Sequence, residues 1–194
     1  MKEFLLGFHD IPNDILEDYI PHWTPYQIPK KTIMTAPGDT ERYWYYVEEG
    51  IQKSYYIHGD KIHVIAFTYP PSFTGIPDSF FNQTPSKYYL ETITDSKLLR
   101  ISFEKHQQLM KEYRDIETMF RKATESFLVG MLERYYQLMA LDIESRFKAF
   151  VKRSPHLLGV ISQKDLASYL RIDATNFSKL MKNVKISDLG VDQE

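Results

Sequence analysis

Little in this 194-residue chain is arranged for making or breaking bonds. There is no Gly-rich phosphate loop, no HExxH and no GxSxG. The close acidic pair Glu48-Glu49 reads as a solvated run. The six histidines (9, 22, 58, 63, 106, 156) lack the spacing for a metal site within one helix. His58 and His63 flank a turn signal and can meet across it, but two histidines need further ligands, so both read as surface residues. Nothing in the sequence points to haem. The chain is therefore not read as an enzyme, and no catalytic residue, metal or cofactor is expected.

Hydrogen-bonding side chains gather instead near the C-terminus, in SQKDLASYLRIDATNFSKLMKN, Ser162 to Asn183. Thr175, Asn176 and Lys179 are the types that read base edges: Asn suits adenine, Lys suits guanine, and Thr can touch a thymine methyl. Ser162, Lys164, Ser178 and Lys182 are suited to phosphates. That is recognition chemistry, with no nucleophile among the candidates.

The elements that must carry these residues are two short helices and a turn. Ser162 can cap the first helix, with Asp165 three residues on as a capping-box-like partner. Leu166, Ala167 and Leu170 then share a face at helical spacing. Arg171-Ile172 forms the turn. Asp173 caps the second helix, whose apolar face is Phe177, Leu180 and Met181. The small Ala167 sits where the second helix must approach. This is the layout of a helix-turn-helix, whose second helix enters the DNA major groove. On pattern alone, two amphipathic helices of an ordinary all-helical domain fit as well. From Asp142 to Ser187 nine Lys/Arg stand against four Asp/Glu, a net +5 on a chain of net charge −2. A basic module on an acidic remainder is what phosphate contact needs, though ordinary solvated surface also gives so small an excess.

Upstream the pattern differs. Residues 4–20 read as a short amphipathic helix with Ile15, Leu16, Tyr19 and Ile20 apolar. From Thr24 to about Ser102, Pro and Gly punctuate short aromatic and β-branched runs: Tyr43–Val47, Ile51–Ile57, Lys61–Phe67, Tyr88–Ile93 and Lys97–Ile101. Such runs predict a compact β-sandwich or barrel, with His58-Gly59-Asp60 as a hairpin turn. From Phe103 the period becomes helical. A short helix reaches Tyr113. A long one follows from about Asp115 to Leu141, with Ile116, Phe120, Ala123, Phe127, Met131, Tyr135 and Leu138 at near coiled-coil spacing. Leu128, Leu132 and Tyr136 form a second stripe. Two apolar faces imply two partners, one the β domain and one a second copy of the helix; burial wholly within one subunit is the alternative. Asp142 caps the next helix, Ile143 to Arg153, and Ser154-Pro155 stops it.

Cysteine is absent, which excludes disulfides and thiolate metal sites and fits a cytoplasmic location. No apolar run approaches the roughly 18 residues of a membrane span. The N-terminal apolar run is too short for a signal peptide. With 43% hydrophobic residues the chain can bury a substantial core in one or two domains.

The segment Ile161 to Lys182 resembles the helix-turn-helix of the cyclic-AMP receptor protein/Fnr superfamily of bacterial transcription regulators. Leu166, Ala167, Leu170, Ile172, Phe177, Ser178 and Leu180 match its pattern. Arg171 stands where that family usually has glycine, at a cost of order 1 kcal/mol if the backbone is left-handed there. Tyr45–Phe67 is similar to a hairpin of the family's sensor domain, with Val47 and Gly50 matching. The phosphate cassette "F-x-G-E-(x10)-R" reads Phe73-Thr74-Gly75-Ile76, with Ser86 at the arginine position. Ile76 lacks the acid for a ribose hydroxyl, and Ser86 lacks the guanidinium for a cyclic phosphate. Lys87 is adjacent but on the opposite strand face. Cyclic AMP is therefore not expected to bind usefully. Phe73, Ile76, Phe80, Phe81, Tyr88 and Tyr89 either line an apolar effector site or fill the space a nucleotide would have left. The candidate pocket is Phe73, Gly75, Ile76, Ser86, Lys87 and Tyr88.

The resemblance implies an α+β chain in three parts. A cyclic-nucleotide-binding-like β-roll with flanking helices spans 1–114. A dimerisation helix spans 115–141, carrying the Ile116 to Leu138 stripe. A helix-turn-helix domain spans 142–194, with a minimal or absent wing and a loose acidic tail expected. The family register puts Ala174, Thr175 and Lys179 at base-reading positions. The implied partners are double-stranded DNA at a pseudo-palindromic operator, a second copy of the chain, an effector of unknown identity, and RNA polymerase as a further candidate. The rival expectation is a dimeric small-molecule-sensing or protein-binding module that has lost DNA binding.

Overall fold

The computed structural model describes residues 1–183, and the side chains as far as Met181. The expected minimal wing and acidic tail lie outside the described residues. The chain divides into two compact units: Met1–Tyr56 with Ile65–Leu128, and Ile57–Val64 with the residues from Val129 onward. These units cut across the expected three segments at two places, the tip of one hairpin and the middle of the long helix.

The first unit begins with helices α1 (Lys2–Leu6) and α2 (Asn13–Tyr19). The single helix expected over 4–20 is thus two. Gly7 ends the first and Pro12, which has no N–H to donate, immediately precedes the second. Eight strands follow: β1 (Thr24–Ile28), β2 (Ile33–Thr35), β3 (Tyr43–Glu49), β4 (Gln52–His58), β5 (Lys61–Thr68), β6 (Ser72–Thr74), β7 (Tyr89–Thr92) and β8 (Ser96–Ser102). The short helix α3 (Pro77–Asn82) sits between β6 and β7. The strands form two four-stranded sheets, β1-β8-β3-β6 and β2-β7-β4-β5. Pro25 pairs with Leu99 in β1, at the end of its sheet, where a missing donor costs little. β4 and β5 are joined by Gly59-Asp60, with Gly59 at φ +58 as a two-residue hairpin turn requires.

Two apolar clusters hold this unit. One gathers Ile28, Tyr45, Val47, Ile76, Leu90 and Leu98 from the strands and the β6–α3 corner. The other packs α1, α2 and the following helices onto Trp44 and Phe80. Those helices are α4 (Phe103–Glu112), capped by the Ser102 hydroxyl at the Lys105 N–H, and α5 (Arg114–Ala140). Ile116, Met119 and Phe120 of α5 belong to that cluster.

The second unit holds the remainder of α5, then α6 (Ile143–Arg153), α7 (Gln163–Leu170) and α8 (Ala174–Asn183). Asp142 caps α6 by accepting the Ser145 N–H at 2.7 Å. Pro155 follows its last turn and opens a 3-10 turn. Phe147, Phe150, Val151, Leu157, Leu166, Leu170, Ile172 and Phe177 are among the buried apolar side chains of this unit. Among the described residues no helix is long and apolar enough to cross a membrane.

Candidate functional site

The helix-turn-helix expected from residue pattern is built by local hydrogen bonding. Ser162 Oγ accepts the Asp165 N–H at 3.1 Å and donates to the Asp165 carboxylate at 2.9 Å. That closes the start of α7 as a variant of the capping box. At its end the Arg171 N–H bonds Ser168 O at 3.1 Å and the Ile172 N–H bonds Ala167 O at 3.0 Å. This pair of bonds is a Schellman closure, with Ile172 buried beside Ala167. It requires a left-handed residue, and Arg171 takes that place at φ 56, ψ 44. Asp173 then caps α8, accepting the Asn176 N–H at 2.9 Å. The same bond holds the Asp173 carboxyl below its usual range.

Phe177 anchors α8. It is 1% exposed and meets Phe147 edge-on at 6.1 Å. Burying a ring of this size contributes about 1.5–3 kcal/mol. The residues around it, Ala174, Thr175, Asn176, Ser178 and Lys179, are all exposed. The Asn176 side-chain amide also donates to Asp173, so bidentate reading of an adenine would use its second N–H. Ser162 and Lys164 are exposed on α7. The Lys182 side chain lies outside the described residues.

Three arginines that the sequence reading did not single out fix α7 and the turn. Arg134 of α5 lies 3.6 Å over the Tyr169 ring and donates to Tyr169 O at 2.9 Å. Arg153 of α6 donates to the Tyr169 hydroxyl at 2.8 Å. Arg146 reaches the last carbonyls of α5, Leu138 O at 3.4 Å and Leu141 O at 3.2 Å, and Arg171 O at 3.5 Å. A guanidinium fork is suited to such convergent acceptors. The sequence signal was Arg134 itself, a cation inside an otherwise apolar stripe.

The six residues of the expected effector pocket do not converge. Phe73 stacks on Trp23 at 5.7 Å and lies with the helical cluster, whereas Ile76 and Tyr88 lie with the strand cluster. Gly75, at φ +153, is pressed against Trp44: a Cβ there would come within 2.6 Å of the ring. The Ser86 hydroxyl is spent on its own turn, accepting the Tyr88 N–H and donating to Tyr88 O, both at 2.9 Å. Lys87 is exposed. Of the other rings in that segment, Phe80 is core, while Phe81 is 39% exposed. The missed residue is Glu41, which is buried. Its carboxylate accepts from Thr35 Oγ1 at 2.6 Å, from the Tyr45 hydroxyl at 3.5 Å and from the Ile76 backbone N–H. Burial pushes its carboxyl up to about 7. An acid just ahead of the aromatic run from Tyr43 was the available signal.

The expected dimer stripe needs correction at its start. Ile116 and Phe120, 0% and 7% exposed, are core of their own unit and not available to a second copy. Ala123, Met131 and Leu138 are half-buried. Phe127 and Tyr135 are exposed, in company with Leu128, Val129, Leu132, Tyr136 and Met139. These seven are most of the exposed large hydrophobics among the described residues. Leu128, Leu132, Tyr135 and Met139 follow 4-3-4 spacing, a coiled-coil seam. Of the histidines expected at the surface, His58 is exposed and His63 half-buried.

Comparison with known proteins accords with this architecture. The family model for the Cyclic nucleotide-binding domain matches residues 26–113. Solved structures similar over most of the chain include FixK2 from Bradyrhizobium japonicum. It is 17% identical, covers 82% of this chain and 83% of its own, and has a TM-score of 0.72. The c-di-GMP responsive global regulator CLP of Xanthomonas campestris is 20% identical, with 88% and 90% covered and a TM-score of 0.67. The Thermus thermophilus Catabolite Activator Protein is 16% identical, with 90% and 84% covered and a TM-score of 0.57. Comparison with curated proteins finds no match. A cyclic-nucleotide-binding domain followed by a helix-turn-helix is the class that the fold defines. The chain shares its fold with these three solved structures over most of its length.

Proposed function

We propose that the protein is a sequence-specific DNA-binding transcription regulator, acting as a homodimer and unresponsive to cyclic AMP. The observation that carries the reading is α8 itself. It is capped by Asp173, anchored through buried Phe177, and exposes Ala174, Thr175, Asn176, Ser178 and Lys179 together. That is the disposition of a helix meant to enter a groove. Solved structures similar to it in fold include one described as a c-di-GMP responsive global regulator. The exposed seam on α5 supports a second copy as the partner. Two recognition helices would then meet half-sites one turn of duplex apart, about 34 Å. Glu41 argues against cyclic AMP: it already takes the Ile76 N–H of the cassette. Titration calorimetry should show no micromolar binding of cyclic AMP.

The test of DNA binding is selection of duplexes from a randomised pool by the full chain, followed by affinity at several salt concentrations. A recovered pseudo-palindrome and a steep fall with salt support the regulator. Lys179→Ala should relax sequence preference. Lys182→Ala should weaken all duplexes alike and reduce the salt slope by about one. No enrichment over input would leave the protein-binding rival as the better reading.

A further inference from the structure

We infer that Ser168 is a positioning residue for the helix-turn-helix, tying α7 to the free edge of the β4–β5 hairpin. The inference rests on the DNA-binding reading for its purpose and on hydrogen bonds for its existence. The hairpin tip, Ile57–Val64, folds in the same compact unit as α7 and α8. β5 ends its sheet in the order β2-β7-β4-β5. An end strand carries backbone groups that need partners. Ser168 Oγ donates to Ile62 O at 2.8 Å and accepts the Val64 N–H at 2.9 Å. Those groups flank residue 63 on one side of the strand. A single residue of a parallel neighbour would bond the same two groups, so one hydroxyl does the work of an adjoining strand.

Beside this bond lies a cleft of about 630 Å³, with Asp60, Lys61 and His63 on the hairpin wall and Lys164, Arg171 and Ala174 on the helix wall. Thr175, Asn176, Ser178 and Lys179 are exposed and take no part in lining it. The clasp therefore grips α7 while the polar face of α8 stays open. Both strands of the hairpin run on from the tip into the first unit.

The test uses the full chain with Ser168→Ala and Ser168→Thr, a duplex selected by the unaltered protein, and hydrogen exchange of the peptide covering 57–68 without DNA. Losing both bonds should weaken duplex binding by about five- to twentyfold. The salt slope should be unchanged, because no phosphate contact is lost. Exchange in 57–68 should rise in the alanine variant, and threonine, which keeps the hydroxyl, should restore both readouts. Alanine binding like the unaltered chain, threonine as weak as alanine, or a slope lowered by one unit would each overturn the inference. If no duplex is selected, the DNA-binding reading fails by itself. The exchange arm then still decides the clasp, with unchanged protection overturning it.

Discussion

Two buried side chains of the first unit titrate away from their ordinary values in opposite senses. Burial raises Glu41 from 4.5 to about 7, against the lowering effect of its bond from Thr35. Burial lowers His106 from 6.5 to about 4. The His106 ring lies edge-on to Phe120 at 4.3 Å, and its Nδ1 is 3.4 Å from the Tyr19 hydroxyl. Between pH 4.5 and 6.5 the folded Glu41 keeps a proton that the unfolded chain loses, so its share of stability falls as pH rises. In the same window the unfolded His106 binds a proton that the folded chain refuses, so its share grows as pH rises. Each slope reaches at most about 1.4 kcal/mol per pH unit, and they oppose. Urea midpoints of Glu41→Gln should therefore climb with pH across this window relative to the unaltered chain, and those of His106→Phe should fall. A Glu41→Gln curve parallel to the unaltered one would mean that Glu41 titrates as an exposed acid.

Among the elements, the turn between α7 and α8 carries measurable strain. A left-handed non-glycine residue costs about 1–2 kcal/mol, partly offset because glycine is freer when unfolded. Arg171→Gly should thus be more stable than Arg171→Ala by up to about 1 kcal/mol in thermal unfolding. An alanine variant equal to or above the glycine variant would refute the strain. This turn was legible because everything that makes it is local: a cap at Ser162, a cap at Asp173 and apolar residues at fixed offsets. The long helix and most strands were legible for the same reason. The corner at Gly7–Pro12 was missed because the apolar period runs through it. The short strands β2 and β6, three residues each, carry too little pattern to read. Ser168 and Glu41 were illegible for another reason. The partners of Ser168 lie more than 100 residues away. Glu41 is defined by burial that only the assembled core supplies. The candidate pocket residues do not converge because neighbouring residues of one segment face two different clusters, which accords with rings filling that space.

At the scale of the whole molecule, the proposed homodimer would use the α5 seam to bring two helix-turn-helix units together. Leu132 and Tyr135 are 61% and 64% exposed, so charging this face costs the subunit's own fold little. Leu132→Glu should lower the solution mass to that of one subunit, leave thermal unfolding of the first unit nearly unchanged, and sharply weaken binding to a two-half-site duplex. A mass unchanged by Leu132→Glu would place the contact between copies elsewhere. A single-subunit mass for the unaltered chain would remove the homodimer.

The borrowed hairpin tip bears on how this protein can be dissected. Cutting the chain near Val129 to obtain a stand-alone reader would discard eight residues, 57–64, that fold with it. The excised piece would keep Ser168 but lose the strand edge it serves, leaving water to satisfy that hydroxyl. Such a piece would be a poorer stand-in than its length suggests. A version with the missing octapeptide supplied through a short linker should regain part of the loss.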